Sequence, residues 1–553
     1  MLSKFKAGEF DYIDSASEMA ECDFFRYIGA KKYLDALAST YPSPRVKEEV
    51  PRWFYIASNL SMRLHGEHSF NAFPYLVRTG GMLQAFGPDV AHRAKHPETG
   101  DTTLSCAGFN SKNDFDRQTP CDQDFLRKFS KDTNPVSLES WFNVEVAKIF
   151  KLHKAFDRDG IFIGDASYVF VPDNENYEGS VKLLFDPSGH PISSQEKSKY
   201  SAEFLKRCEW KRCYKLVSLL HTNKARSFTL RIAMKLLPGN MHESPTFYTL
   251  LEEFLASIGD GVVKRLLLDR GFLDGEKISY FKRTHGIDFL IPIKSNMDLY
   301  ADAIGLIPSL HFTEFKITER VPVDQPALTR EVPEKIWKRE QKRQETLRLK
   351  KGTEFKVDDG KNVLIKKEVA RIDSLTTFNS CDIPVHLIVN RDTHGDGEQK
   401  IWMLLDTRPI ESDDDAIGRR KEYKIRTEIE EGHRQLKCFW DLTKFTSRSF
   451  SLILNQIVFT LLTFNLLQLW LKSRNELGDD STDMRKTRMR MLRELLPTEN
   501  VIVIYCENHF ITMTPLEYTE LLLTLDEEAR VKVLEKTKKL KRNLSQELKL
   551  VRR

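Results

Sequence analysis

The chain has 553 residues, of which 41% are hydrophobic and 30% are charged. Such a composition allows a sizeable core under a charged surface, so it excludes a fibrous or disordered chain, and the length favours roughly three or four domains. The net charge of +5 is mildly basic and does not by itself require a nucleic acid partner.

The N-terminal region, residues 1–150, has a mostly helical pattern with a polar loop near residues 95–120. Its first residues lack the apolar run of a secretory signal. The 8 cysteines of the chain are scattered, and only Cys208 and Cys213 lie close together, without zinc-ligand spacing. These features favour free thiols in a reducing compartment.

Residues 151–298 contain short apolar runs rich in β-branched and aromatic residues, which predict strands. The predicted elements are strands at 160–171, 180–186, 213–222 and 227–237, a helix at 244–259, a strand at 262–269, a helix at 275–286 and a strand at 287–293. The early strands should be antiparallel, and the helical crossovers should add parallel strands. The order is that of a ribonuclease-H-like α/β fold, the first part of a catalytic core.

The segment "GNMHES", residues 239–244, precedes one of these helices. Ser244 is predicted to be the N-cap and Pro245 the first helical residue. A catalytic role for His242 is the alternative use of this segment.

Residues 299–399 interrupt the core with a mainly β pattern, such as "IPVHLIVNRD" at 383–392. The basic stretch Lys335–Lys351 within this insertion is either a solvated helix face or, if the chain is an enzyme that acts on DNA, a contact to phosphates. In that case Trp337, otherwise structural, could stack on an unpaired base. The cations that would then contact DNA are Lys338, Arg339, Lys342 and Arg343.

Residues 400–474 return to the core and include an uncharged run at 451–471 that is long enough to span a bilayer. Polar side chains such as Asn455 and Asn465 interrupt this run, so we predict a buried core helix and no membrane. The last region, residues 475–553, begins with a polar linker and is predicted to be helical, with a basic tail.

The stretch "EYKIRTEIEEGHRQLKCFW", residues 422–440, has apolar residues at helical spacing, which predicts one amphipathic helix. On such a helix four polar residues fall within roughly 60° of one another. They are Tyr423, Arg426, Glu430 and Lys437. This stripe is either a solvated surface or half of an active site.

Three carboxylates could act with this stripe. Asp165 lies inside the apolar strand "FIGDASY", where an acid is costly without a partner. Asp269 ends the strand "RLLLD" and is either catalytic or a turn and helix cap. Glu430 is either a solvated helix residue or a third ligand.

Carboxylates combined in this way suit an oxygen-ligand site for two Mg²⁺ ions, with Mn²⁺ as a substitute. Such ions activate a water or a 3′-hydroxyl and stabilise the leaving oxygen in phosphodiester displacement. The cations of the stripe would bind the neighbouring phosphates. Asp165, Asp269 and Glu430 are therefore predicted to be both the catalytic residues and the metal ligands.

The spacing Tyr423-x2-Arg426-x3-Glu430-x6-Lys437 resembles the Y-R-E-K signature of DDE transposases of insertion-sequence family four. The segments "IGDAS", "LLLDRGF" and "IRTEIEEGHRQLK" are similar to the three segments of that family that carry its acidic triad. The resemblance covers about residues 155–475, and the β insertion is also a family feature. One departure is that many members have an aromatic residue where this chain has Gly432 or His433.

The resemblance implies a cut-and-paste DNA transposase that cuts at transposon ends and joins them to target DNA. Asp165, Asp269 and Glu430 would be its metal-binding triad, and Tyr423, Arg426, Arg434 and Lys437 would contact DNA. The N-terminal helices would bind the terminal inverted repeats, and the C-terminal region would help a homodimer pair two ends. The protein would act in the cytoplasm, at the nucleoid.

Two alternatives remain open. One is a transposase-derived DNA-binding protein that no longer cuts, against which the intact triad argues. The other is a nuclease or resolvase of the same fold, over which the insertion and the Y-R-E-K stripe favour transposition.

Overall fold

The computed structural model of the chain divides into two compact units. Unit 1 comprises Met1–Val181, Arg212–Val262 and Thr427–Arg553, and unit 2 comprises Lys182–Lys211 and Val263–Arg426. The structure describes all residues except 1, 11, 17–18, 49, 74–84, 87–90, 96–101, 107–120, 194, 315–363, 395–398, 439, 474–500, 507–508, 514 and 539–553.

The strands, numbered in chain order, are β1 (Tyr12–Ala16), β2 (Ala91–Lys95), β3 (Thr102–Cys106), β4 (Ile161–Val171), β5 (Val181–Phe185), β6 (Pro191–Ile192), β7 (Glu209–Thr222), β8 (Leu230–Pro238), β9 (Arg265–Leu268), β10 (Asp288–Pro292), β11 (Thr313–Glu314), β12 (Leu364–Leu375), β13 (Val385–His394), β14 (Gln399–Asp406), β15 (Val501–Cys506) and β16 (His509–Met513).

The α-helices are α1 (Leu2–Lys6), α2 (Met19–Ala30), α3 (Tyr33–Thr40), α4 (Arg52–Leu64), α5 (Gln123–Asp132), α6 (Pro135–Ser140), α7 (Ala147–Leu152), α8 (Ala202–Lys206), α9 (Glu243–Ile258), α10 (Gly275–His285), α11 (Asp298–Leu306), α12 (Asp413–Tyr423), α13 (Thr427–Cys438), α14 (Phe450–Ser473) and α15 (Pro515–Leu523).

Unit 1 contains an antiparallel arrangement in which β7 pairs with both β4 and β8. β4 is buried at its beginning and half-buried from Asp165 to Tyr168. The helix α13 packs on β4. Unit 1 therefore places the helix that carries Glu430 over the strand that carries Asp165.

The core of unit 1 is built around α14, which packs against α4 and β8. Its polar residues bond to neighbouring elements: Asn455 Nδ2 donates to the Tyr55 hydroxyl at 2.8 Å, and Asn465 Oδ1 accepts the Arg231 backbone N–H at 2.8 Å. Among the described residues, α14 is the one helix long and apolar enough to cross a membrane, and 83% of its apolar window is buried. The prediction of a buried core helix is confirmed.

Unit 2 contains a mixed sheet in the order β11-β12-β13-β14-β10-β9. The strands β9 and β10 are parallel, since α10 forms the crossover between them, and the other neighbours are antiparallel. β9 is fully buried and ends immediately before Asp269. Because β9 is held in the core, the backbone position of Asp269 at its end is well defined.

The predicted fold class is confirmed: the chain is mixed α/β, with a strand and helix order consistent with a ribonuclease-H-like fold. The predicted strand and helix runs of residues 151–298 each correspond to an observed element, with ends shifted by a few residues. The described parts of the 299–399 insertion are mainly β, with α11 at the start. The division into five regions stays a prediction.

The terminal regions contain strands that the sequence pattern does not predict. β1 from the N-terminal region pairs with β15 from the C-terminal region, and β15 pairs with β16. The hairpin β2–β3 lies near the predicted polar loop. The helical prediction for the last region therefore misses these strands, because the continuous apolar, β-branched run at Val501–Cys506 forms β15.

Two local predictions are also wrong. The stretch 422–440 is not one helix, because the 3₁₀ turn Lys424–Arg426 separates α12 from α13. A 3₁₀ turn has about three residues per turn, so the 100° spacing does not carry through it. The N-cap of α9 is His242 rather than Ser244, since His242 Nδ1 accepts the Ser244 N–H at 3.3 Å.

Candidate active site

Unit 1 holds Asp165 beneath α13. The Asp165 side chain is 19% exposed, and its Oδ2 lies 3.6 Å from His433 Nε2, too far for a hydrogen bond. Two residues further along β4, on the same face of the strand, Ser167 Oγ accepts a 2.7 Å hydrogen bond from Lys437 Nζ. Lys437 thus ties α13 to the face of β4 that carries Asp165.

Glu430 lies one turn before His433 on α13 and is exposed. At 100° per residue, Glu430 is about 20° from Lys437 and about 60° from His433 around the helix axis. Glu430 therefore projects on the side of α13 that faces β4. Arg434 is exposed on the same side of the helix, about 40° from Glu430.

A buried cation lies close to Asp165. The Arg231 side chain is 0% exposed, and its guanidinium donates to Ser218 Oγ at 2.9 Å and to the Ile429 carbonyl at 3.2 Å. Burial lowers the pKa of Arg231 to about 10, and the charge of Asp165 acts in the opposite direction. Arg231 therefore stays charged at pH 7, close enough to Asp165 for the two charges to attract each other.

His433 lies near both Arg231 and Asp165 and adds no charge of its own. Burial, followed by the charge of Arg231, lowers the pKa of His433 to about 4, so the ring is neutral at pH 7. Its Nε2 has no hydrogen-bond partner within the described part of the chain.

Unit 2 holds Asp269 at the end of β9. The half-buried Asp269 caps the 3₁₀ helix Arg270–Phe272, and its Oδ1 accepts the Arg270 N–H at 2.8 Å. The capping role considered from sequence is therefore present. One such bond leaves further lone pairs on the carboxylate, so capping and metal binding are compatible.

Tyr423 and Arg426 flank this end of β9. The Tyr423 hydroxyl donates to the Leu268 carbonyl at 3.2 Å, one residue before Asp269. The Arg426 guanidinium lies 5.8 Å from the centroid of the Tyr423 ring, within cation–π range. Both side chains are half-buried and belong to the same unit as Asp269.

A buried charge network attaches β9 to α12. The Arg265 guanidinium donates to both oxygens of Asp406, each at 2.6 Å, and to Glu422 at 2.8 Å and 3.1 Å. Glu422 directly precedes Tyr423 in the chain. The network therefore holds Tyr423 against the strand end that carries Asp269.

Sequence reasoning did not select Arg231 or Arg265. The available signal was an arginine inside an otherwise apolar strand, the same signal that selected Asp165. His242, considered as catalytic, is the cap of α9, and the neighbouring Glu243 pairs with Lys215 at 2.7 Å. Trp337 and the predicted DNA contacts Lys338, Arg339, Lys342 and Arg343 lie outside the described residues.

The predicted ligands fit a divalent metal by their chemistry. Asp165, Asp269 and Glu430 all offer carboxylate oxygens that reach solvent, and hard cations such as Mg²⁺ prefer oxygen donors. Within each unit, over its described residues, no group of three or more His, Cys, Asp or Glu side chains is arranged to hold a metal ion.

A comparison with protein families identifies a match. The family model described as transposase DDE domain matches residues 178–466, just over half of the chain. The matched range includes Asp269 and Glu430, whereas Asp165 lies shortly before it. Comparison with curated proteins gives no match.

Proposed function

Because the chain belongs to the transposase DDE domain family, and is thus an enzyme that acts on DNA, we propose that it cuts at transposon ends and transfers the freed strand into target DNA. The placement of Glu430 and Lys437 over the β4 face that carries Asp165 supports this proposal most directly. The Y-R-E-K spacing supports assignment to insertion-sequence family four.

Asp165, Asp269 and Glu430 are the proposed ligands of two Mg²⁺ ions, for which Mn²⁺ substitutes. When bound, such ions lower the pKa of the attacking water or 3′-hydroxyl and stabilise the leaving oxygen. The chain's own contribution is the buried positive charge of Arg231, which lies close to Asp165. The cap that Asp269 forms holds its carboxylate at the end of β9.

Lys437 and Arg434 are the proposed phosphate contacts of α13. Lys437 already reaches the surface of β4 at Ser167, two residues from Asp165, so a phosphate held there would lie near the scissile one. Tyr423 and Arg426 are proposed to contact DNA beside Asp269. The Tyr423 bond to Leu268 supports an additional role in positioning that strand end.

The partners follow from the reaction. Terminal inverted repeats and target DNA are the proposed substrates, and a homodimer is the proposed form that pairs two ends. The sheet formed by β1, β15 and β16 joins the two terminal regions, so end binding and end pairing are proposed to be functions of one structure. The proposed location is the cytoplasm, at the nucleoid.

The decisive test uses the purified full chain and a plasmid that carries the coding region with its natural flanking DNA. We expect Mg²⁺-dependent cutting at the flanks, lost with EDTA. Asp165→Asn, Asp269→Asn or Glu430→Gln should each reduce cutting by about a thousandfold or more, because each removes a ligand charge while keeping shape. Binding to the same DNA should change little.

Asp274→Asn is the matched control, because Asp274 caps α10 through the Lys277 N–H and asparagine caps equally well. It should cut at the wild-type rate. If a triad variant still cuts at the wild-type rate, the substituted residue is not a metal ligand. Binding by the wild type without any metal-dependent cutting would instead support the DNA-binding alternative.

A second prediction concerns Lys437. Lys437→Ala should keep metal binding and some nicking, but should reduce stable end engagement and strand transfer, with the salt slope of binding lower by about one. Lys437→Arg should recover part of the loss, since a phosphate needs a cation more than one geometry. Nicking and strand transfer are measured separately, and wild-type levels of both would remove Lys437 from the site.

A further inference from the structure

One segment of unit 2 exposes aromatic rings among basic side chains that the proposed chemistry does not use. It lies between β6 and the start of β7, and its side chains form what we call the aromatic–basic surface: Lys197, Lys199, Tyr200, Phe204, Lys206 and Trp210. Trp210 is 53% exposed and Tyr200 is 42% exposed. Apolar residues that are exposed singly are common, but exposed rings grouped in one patch are typical of interaction sites.

The rings of this surface are held in place. Lys197 Nζ lies 4.5 Å from the centroid of the Trp210 ring, a cation–π contact between the 3₁₀ helix Lys197–Lys199 and β7. Tyr200 stacks on Phe204 with 4.9 Å between centroids and 22° between ring planes. Two exposed aromatic faces are therefore presented by a short, locally ordered segment.

The charges around the rings leave a cationic excess. Arg207 pairs with Glu203 at 3.7 Å, and Lys211 pairs with Glu209 at 2.8 Å. Glu196 accepts bonds from the Ser193 N–H and hydroxyl at 3.1 Å and 2.8 Å.

Lys199 and Lys206 are exposed, and among the described residues neither lies in an ion pair. They are thus available to an anionic partner next to the rings.

We propose that the aromatic–basic surface binds single-stranded DNA, with Trp210 and Tyr200 stacking on unpaired bases and Lys199 and Lys206 contacting phosphates. Aromatic faces in a cationic surface suit single strands, because every unpaired base offers a face to stack on. In a duplex the base faces are already stacked, so rings would add little beyond the lysines. The inference rests on the proposed function, since strand cutting and transfer expose single-stranded DNA.

The test measures binding of the full chain to two labelled probes by fluorescence anisotropy. The probes are an oligo-dT of about 20 nucleotides, longer than the usual footprint of such surfaces, and a mixed-sequence duplex of similar length. Trp210→Ala should weaken oligo-dT binding about tenfold, since stacking contributes roughly 1–3 kcal/mol per base, and should change duplex binding less than about twofold. Trp210→Phe should recover most of the affinity.

The lysines should behave differently from the rings. Lys199→Ala and Lys206→Ala should each lower the salt slope by about 0.7 for oligo-dT and weaken both probes. Tyr280→Ala is the matched control: Tyr280 is 45% exposed in the same unit, Lys277 Nζ lies 5.9 Å from its ring centroid, and the nearby Lys282 and Arg283 are paired with Asp288 and Asp382. This control should bind both probes like the wild type.

Three results would overturn the proposal: wild-type chain that does not bind oligo-dT, Trp210→Ala that binds it unchanged, or Trp210→Ala that alters only the oligomeric state in sedimentation. The last result would assign the surface to a second copy of the chain. Failure of metal-dependent end cutting with oligo-dT binding intact would reject the proposed function alone, so the two failures are distinguishable.

Discussion

Two buried arginines, one in each unit, are stabilised in opposite ways. Arg265 in unit 2 is 1% exposed and bonds to two carboxylates, Asp406 and Glu422. Arg231 in unit 1 is 0% exposed, but its direct partners are a hydroxyl and a backbone carbonyl. The first charge is neutralised where it lies, whereas the second is balanced only through Asp165 nearby.

The pKa values of the two guanidiniums express this difference. Burial alone would lower the pKa of Arg265, but Asp406 and Glu422 raise it above its ordinary value. Burial lowers the pKa of Arg231 to about 10, against a smaller opposing effect of Asp165. A fully paired arginine holds two elements together, while an incompletely paired one provides a positive potential near a proposed metal ligand.

The largest effect that we predict follows from removing each arginine. Arg265→Met should cost about 3–5 kcal/mol of unfolding free energy, because it leaves the fully buried Asp406 with too little positive charge. Arg231→Met should cost only about 1–2 kcal/mol, since it strands a hydroxyl and a carbonyl. Chemical denaturation of both variants measures the two changes in unfolding free energy. Hydrogen exchange, followed separately in each unit, shows which unit is destabilised.

The contrast between the two arginines would be wrong if Arg231→Met lowered the unfolding free energy as much as Arg265→Met. Arg265→Lys serves as a control, because one ammonium cannot reproduce the paired bonds to Asp406, so most of the loss should remain. Recovery of wild-type stability by lysine would mean that charge alone, and not the bidentate geometry, holds unit 2 together.

Sequence patterns predicted the elements of the core because apolar periodicity and turn residues are local. The segment around Asp165 illustrates this, since an acid among apolar strand residues is enough to predict a site without any tertiary information. Tyr423 shows what local patterns miss, because hydrophobic periodicity alone cannot detect the 3₁₀ turn Lys424–Arg426. The polar stripe predicted for one helix is therefore divided between two units.

The arginine pairings lay beyond sequence reasoning for a different reason. Whether Arg231 or Arg265 is neutralised depends on side chains far away along the chain, such as Asp406. The pairing of β1 with β15 joins the two ends of the chain and is equally invisible to local patterns. Local rules predict elements, whereas charge balance and strand pairing are properties of the assembled fold.

Acid should lower the stability of unit 1 more than that of unit 2, and this effect should be of intermediate size. In unit 1, burial lowers the pKa of His221 to about 4 from its ordinary 6.5. Between these values the unfolded chain binds more protons, so stability falls as pH falls, by roughly 2 kcal/mol for His221 between pH 7 and pH 5. Hydrogen exchange of β4 and β7 should accelerate over this range.

Unit 2 should resist the same change. Burial would raise the pKa of Asp288, but its bonds to Arg408 and Lys282 hold the pKa below the ordinary 3.8. The stability from this carboxylate is therefore present above that value and is lost only as pH falls through the lower pKa of the folded state. Exchange of β10 and β14 should be unchanged at pH 5. His221→Gln should reduce the acid response of β4, and an equal response in both units would contradict the assignment.

The smallest effect, and the sharpest in sign, concerns Gly432 on α13. A Cβ at this position would lie 2.7 Å from Arg231 Nη2, closer than real contacts allow, and Arg231 is buried and bonded to the Ile429 carbonyl. In an ordinary helix interior, Gly→Ala stabilises by up to about 1 kcal/mol. Here Gly432→Ala should instead destabilise by about 1 kcal/mol, because displacing a buried guanidinium outweighs the gain in helix propensity.

The test is a double-mutant cycle with Arg231→Met. In that background the clash is absent, so Gly432→Ala should become neutral or stabilising, and the coupling between the two sites should reach about 1–2 kcal/mol. Gly418→Ala on α12, where an added Cβ meets nothing within 4 Å, is the matched control and should stabilise in both backgrounds. If Gly432→Ala is stabilising in the wild-type chain, Arg231 moves at little cost. Arg231 would then not be held in a fixed position near Asp165, and its contrast with Arg265 would lose its structural basis.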